Sequence, residues 1–388
     1  MKIAPRIFRA LLLFLAPVVL WPLARTSEKA AAKGQYLAYV GTYTAKTASK
    51  GIYAFRYDAH SGKLAPIGVA AETSDPSFLA IHPNGKYLYA VNESGKNSKV
   101  SAFLIEAHSG KLTLLNELPA LGEDPCYISF DKTGKFVFVA NYTSGNIAVF
   151  PVGPDGRLGE HTALVTDSGK TGPNQERQEG PHAHWIEASP DNRFVLVADL
   201  GLDEVLIYKF DPANGSLAAN QPAFARLKPG SGPRHIAWHP TGRFVFVVSE
   251  LNSTATAFRY DAKKGALKEI ASVSSLPPNF SGRNDVAEVA VDPSGKVLYV
   301  SNRGNESIAI LSIDGNTGRL TPTGGIPTGG KEPRHFAIDP SGKYLLAENQ
   351  LSNNLAVFKI DAATGGLTPT GQIEEVPSPV DLTFVPAE

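Results

Sequence analysis

The chain has a single cysteine, Cys126, in 388 residues. That excludes an intramolecular disulfide framework and any metal cluster built on several thiolates. No Cys-x-x-Cys-His stretch occurs, so a covalently attached haem finds no support. Gly-x-Ser-x-Gly, His-Glu-x-x-His and a phosphate-cradling glycine loop ahead of a helix are also missing, which leaves a serine nucleophile or a metal hydrolase unsupported. Neither sign of charge dominates, with 37 Lys plus Arg against 37 Asp plus Glu. No overall field draws the molecule to nucleic acid or to an anionic membrane, and any charged site must be local.

What is abundant points to strands. Thirty-six Gly, 29 Pro, 13 Tyr and 19 Phe suit many short strands joined by tight turns, so helix should be scarce. At the N-terminus Lys2, Arg6 and Arg9 precede an apolar run over 10–21, the layout of an export signal. The run is short for a membrane span and contains Pro17, while Leu23-Ala24-Arg25 and Ala30-Ala31-Ala32 are imperfect cleavage sites. Residues 1–33 therefore read as a signal peptide or N-terminal anchor plus linker, and 34–388 as one domain. A periplasmic or secreted protein is expected, in contact with a membrane only if the segment stays uncleaved.

Past residue 34 one unit recurs with a period near 50, as in a propeller or solenoid. A turn followed by an apolar alternating run appears as HPNGKYLYAVNE (82–93), DKTGKFVFVANY (131–142), SPDNRFVLVADL (189–200), HPTGRFVFVVSE (239–250), DPSGKVLYVSNR (292–303) and DPSGKYLLAENQ (339–350). A second anchor closes on Gly62, Gly110, Gly156, Gly215, Gly265, Gly318 and Gly365. Each unit reads as four strands, a propeller blade. The opening YLAYVGT (36–42) enters as a second strand without its partner, and the C-terminal SPVDLTFVP (378–386) matches the missing first strand. The reading is an all-β, seven-bladed β-propeller with four antiparallel strands per blade, closed by pairing of its N- and C-terminal strands, which removes open edges.

Stacking the units exposes two columns that change chemistry from blade to blade while their neighbours stay apolar. At the start of the first strand the column reads Val380, Ser77, Cys126, His184, Arg234, Ala287, Arg334. At the end of the second strand it reads Thr42, Glu93, Tyr142, Leu200, Glu250, Arg303, Gln350. Hairpin geometry puts both columns at one mouth of the central channel. Arg234 and Glu250, each eight residues from Gly242, should face one another across their hairpin. His184, Arg303, Arg334 and Glu93 join them on the rim, with His182 close behind. Arginines outnumber glutamates, which implies an anionic small-molecule ligand, since the guanidinium fork matches carboxylate or phosphate.

Plain structural readings exist for each. Arg234 and Glu250 could form an ion pair that solvates the channel, His184 could pack beside Trp185, and Arg303 could reach to solvent. His182 and His235 fall outside the columns, and Cys126 reads as packing. Carboxylate, imidazole and guanidinium together suffice for water attack on an ester with the carbonyl oxygen stabilised by arginine.

The segments GPHAHWIEASPDNRFVLVADLGLDEVLIYKFD (180–211), GPRHIAWHPTGRFVFVVSELNST (232–254) and AEVAVDPSGKVLYVSNRGNESIAI (287–310) resemble the lactonase family of seven-bladed propellers. That family includes the propeller-type 6-phosphogluconolactonase and is similar to the carboxy-muconate lactonising enzyme. The resemblance implies lactone hydrolysis without metal or organic cofactor. By matching motifs it implies a catalytic set of His184, Arg234, Glu250 and Arg303; the charged mouth itself suggests Glu250 as general base on water, or His184 sharing that role. Arg334, Glu93 and His182 are the expected substrate-binding residues. A monomer acting on an anionic sugar-acid or organic-acid lactone is the resulting expectation. The export signal argues against a cytosolic phosphorylated substrate. A rival reading is an exported, non-catalytic propeller used as a binding scaffold. The short polar loops NESGKNSK, NYTSGN and NRGNES favour the enzyme.

Overall fold

The computed structural model describes residues 34–387 together with Met1, so the expected N-terminal signal or anchor lies outside the described residues. Seven four-stranded antiparallel sheets follow one another along the chain. Blade 1 orders its strands Pro379–Pro386, Gln35–Thr42, Gly51–Asp58 and Lys63–Glu72, so the last strand of the chain supplies its innermost strand. Blades 2 to 7 begin with the inner strands Pro76–Ile81, Pro125–Phe130, Ala183–Ala188, Pro233–Trp238, Asp285–Val291 and Pro333–Ile338. Each inner strand packs on the next around the full cycle, and Pro333–Ile338 packs on Pro379–Pro386 to close it. The expected closure is therefore observed, in register from Tyr36 opposite Pro386 to Gly41 opposite Asp381. Among the described residues the only helices are single 3-10 turns at Gly95–Asn97 and Gln350–Ser352, and none could cross a membrane.

The repeated turn explains the hairpins. In blade 7 Asp339 accepts hydrogen bonds from the N–H groups of Ser341 and Tyr344, and Gly342 takes φ +69°, where a side chain would be strained. The second anchor's glycines serve packing. A Cβ on Gly318 would lie 2.5 Å from the Phe244 ring, so this turn of blade 6 closes flush on the second strand of blade 5. The same fit recurs between Gly265 and Phe194 and between Gly62 and Tyr344.

Second strands such as Phe244–Ser249 are buried at every position rather than at alternate ones. The expected alternation is lost because both faces of a blade lie against neighbouring blades, so the side chains of each face enter an interblade core.

Candidate active site at the channel mouth

The first strands do not pair as simple hairpins. In blade 5 the register steps from Pro233 opposite Ser249 to His235 opposite Val248, leaving Arg234 as the extra residue of a β-bulge. The same step singles out Ser77, Cys126, His184 and Arg334. In blade 1 it singles out Val380, and in blade 6 Ala287 and Glu288 share one place between Val286 and Val289. The variable first column is thus a ring of bulges, one per blade. A bulge turns a side chain out of the pleat, so these positions are free to vary without disturbing the sheet.

The expected cross-strand pairing of Arg234 with Glu250 is corrected by this geometry. Glu250 lies one residue past its strand, and its N–H donates to Gly232 O at 2.7 Å. The two charges nevertheless meet. Arg234 Nε is 3.0 Å from Glu250 Oε2, although its hydrogen is not aligned on that oxygen, so the contact is one of charge rather than a formed hydrogen bond. Arg303 Nη2 is also 3.0 Å from Oε2. Arg177 Nη2 donates to Oε1 at 2.5 Å. His184 Nε2 stands 4.0 Å from Oε2. Three blades and one loop therefore converge on a single buried carboxylate, as the columns suggested for all but Arg177.

Arg177 was missed because it belongs to no repeat. It sits in the stretch from Asp167 to His182, the longest link between blades, and that length was the available signal. The link is pinned by buried Gln178, whose amide donates to Leu200 O and Asp203 Oδ1, both at 2.9 Å. His182 helps to hold the link. It stacks on Tyr142 at 4.5 Å, with Nδ1 2.9 Å from Tyr142 O.

Glu93 and Arg334 meet through Tyr43, a residue outside both columns. The Tyr43 hydroxyl donates to Glu93 Oε2 at 2.7 Å and accepts from Arg334 Nη2 at 2.9 Å, with the guanidinium 5.3 Å above the Tyr43 ring. These three residues, with Ser77, Phe78, Cys126, Arg234, His235, His335 and Val380, line a cavity of about 10 Å³. Cys126 Sγ is 3.6 Å from His184 Nδ1. Among the described residues no group of three or more His, Cys, Asp or Glu is arranged to hold a metal ion.

Electrostatics divide the roles. Burial raises the Glu250 carboxyl, but Arg303, Arg234 and Arg177 outweigh it and hold the group well below the usual carboxylate range. Burial, then Arg234 and His235, push His184 well below the ordinary imidazole value, so it is neutral. Burial with Arg303 and Arg334 pulls Arg234 down to about 10. Burial raises Glu93, and it pushes up the Cys126 thiol, which is therefore not a thiolate nucleophile. Four arginines around Glu250 and Glu93 leave a cationic mouth.

The described residues form a closed seven-bladed β-propeller whose channel mouth holds a buried carboxylate shared by three arginines. The model of the family described as Lactonase, 7-bladed beta-propeller, matches residues 37–384, and the chain belongs to that family. It is 37% identical over 303 residues to the 6-phosphogluconolactonase of Bacillus subtilis, covering 78% of this chain and 84% of that one. Against the 6-phosphogluconolactonase of Formosa agariphila it is 36% identical over 306 residues, 77% and 85% of the two chains. The structure of the periplasmic gluconolactonase of Pseudomonas aeruginosa is similar with a TM-score of 0.86 at 33% identity, covering 91% of this chain and 100% of that one.

Proposed function

We propose that this chain is an exported lactonase that opens the ring ester of a sugar-acid lactone by adding water at the channel mouth. The observation that carries this reading is the convergence of Arg177, Arg234 and Arg303 on Glu250 beside neutral His184. Arginines so placed stabilise the oxyanion that forms when water attacks the carbonyl carbon. Glu250 is too acidic to be an effective base; its work is to hold the arginines in place. Hydrolysis needs two proton transfers, one from the attacking water and one to the departing ring oxygen, and His184 is the rim imidazole that serves one of them.

Beside Arg177 an open cleft of about 640 Å³ is lined by Asn174, Asn252, Ser253, Asn284, Arg283 and Asp285, among others. Its lining is largely polar, which suits the hydroxyls of a polyol chain. The export signal favours an unphosphorylated substrate over a phosphorylated cytosolic one. The basic start and apolar run of residues 1–21 support export, as does the likeness to a periplasmic gluconolactonase.

The test is hydrolysis, followed by acid release, of glucono-lactone, 6-phosphoglucono-lactone and simple organic-acid lactones by the purified chain. Turnover of the sugar lactones, fastest without phosphate, is expected. No turnover of any lactone would return the weight to the binding-scaffold reading.

A further inference from the structure

The catalytic set expected from the sequence leaves one proton transfer without a partner, and the channel below the mouth holds an unused pair of titratable residues. His235 follows Arg234 in the inner strand of blade 5 and lies buried in the channel. Its Nδ1 is 2.8 Å from Oε2 of Glu288, one of the two bulge residues of blade 6. Its Nε2 is buried and has no hydrogen-bond partner. Edges of Phe78, Tyr127 and His184 fix the ring, with centroids 5.9, 5.2 and 5.2 Å away.

His235 also lines the small cavity shared with Arg234, Arg334, Glu93 and Tyr43. One further polar atom of a residue lining it, Ser77 Oγ, is likewise buried without a hydrogen bond, while Arg234 Nε faces Glu250 Oε2 at 3.0 Å. Its volume of about 10 Å³ is roughly that of one water, which needs two to four polar partners. Two groups without a hydrogen-bond partner around one such space, His235 Nε2 and Ser77 Oγ, make a site for one water rather than two independent defects.

We propose that this cavity seats the attacking water and that His235, backed by Glu288, takes its proton. This rests on the lactonase reading above. The water oxygen forms a bond to the lactone carbonyl carbon while its proton passes to His235 Nε2, and the Nδ1 proton passes to Glu288. Collapse of the adduct breaks the ring C–O bond. The ring oxygen takes a proton from His184, which the new carboxylic acid replaces, while the proton on Glu288 returns to His235 Nδ1 and Nε2 releases its proton to solvent. His235 thus changes tautomer without carrying charge.

The surroundings fit that route. Burial, then Arg234, His335 and Arg334, disfavour imidazolium at His235, with Glu250 opposing them. Burial raises Glu288 despite His335, so a proton handed to it is tolerated. Glu288 is a positioning and proton-holding residue, and His235 is the one that would touch the water.

The experiment compares unmodified chain, H235Q and E288Q by steady-state kinetics on whichever lactone is turned over, with thermal unfolding of each variant. Both variants should lower kcat about 100-fold or more, with KM within threefold, because general acid–base groups contribute 10²–10⁴-fold. The solvent deuterium effect on kcat should also change. Nitrogen-15 NMR of the histidines in the full chain should find His235 neutral at pH 7. Folded H235Q with kcat within threefold of the unmodified chain would overturn the inference and leave the lactonase reading intact. A charged His235 at pH 7 would overturn it as well, even if H235Q failed to fold. Absence of turnover by the unmodified chain would overturn both.

Discussion

Arg177 Nη2 and Glu250 Oε1 meet at 2.5 Å across 73 positions of sequence, tying the longest interblade link to the centre of the mouth. The Arg177 side chain is 29% exposed, whereas that of Glu250 is only 5% exposed, so the contact runs from the rim to a buried anchor.

That asymmetry sets the first expectation. R177A should lower kcat/KM about tenfold through loss of an arginine near the developing charge, while costing about 1–3 kcal/mol of stability, since it strips a hydrogen bond from a buried carboxylate. Kinetics and thermal unfolding on the same preparation check both halves. A loss of stability with activity unchanged would make Arg177 a structural strap.

Glu250→Gln removes the charge that three arginines share. The substitution should destabilise the fold by about 3 kcal/mol, since it leaves buried cations unpaired, and lower kcat/KM about 100-fold. Because Glu250 stays ionised throughout the working range, the activity that remains should keep the pH profile of the unmodified chain. A profile that loses its acid limb would instead make Glu250 the titrating base. The double variant with Arg234→Gln should cost less than the sum of the singles.

His335 provides a test of stability against pH. Its Nδ1 is 2.6 Å from Glu348 Oε2, and its Nε2 is 3.2 Å from Asp381 Oδ1 and 3.5 Å from Glu288 Oε2. Burial opposes charge on His335, but these carboxylates raise it to about 10. The folded chain thus holds a proton that the unfolded chain releases near 6.5, so this contribution is full below about 6.5 and is lost as pH rises through about 10. Burial raises Asp381 to about 7, and its contribution declines with rising pH in the same sense. Urea unfolding from about pH 7.5 to pH 10, above the range in which neutral His184 and His235 act in the opposite sense, should show falling stability, with the slope flattened in H335Q. A flat or rising curve for the unmodified chain would contradict the protonated cluster.

Interblade fit can be examined at Gly318. G318A places a methyl 2.5 Å from the Phe244 ring at a φ of +77°, and should cost about 1–3 kcal/mol. F244A should cost about 3–5 kcal/mol as a cavity. Their combination should cost less than the sum, because the truncated ring makes room for the methyl. Strict additivity in urea unfolding would show that backbone strain, and not the contact, dominates at Gly318.

The sequence by itself determined the blade count, the four-strand unit, the joining of the first and last strands, and most residues of the mouth. Those features were legible because turns and apolar runs are local, and because repetition lets unlike residues stand out in columns such as His184, Arg234 and Arg334. It did not reveal that the column residues are bulges, since a one-residue slip in pairing leaves no trace in composition; counting from Gly242 consequently put Arg234 opposite Glu250. Only the tertiary structure brought Arg177 to Glu250, Tyr43 to Arg334 across 291 positions, and His235 to Glu288 across 53. Such contacts arise when separate blades close around one axis, and the angle at which each bulge turns its side chain inward is decided by the packing of its neighbours.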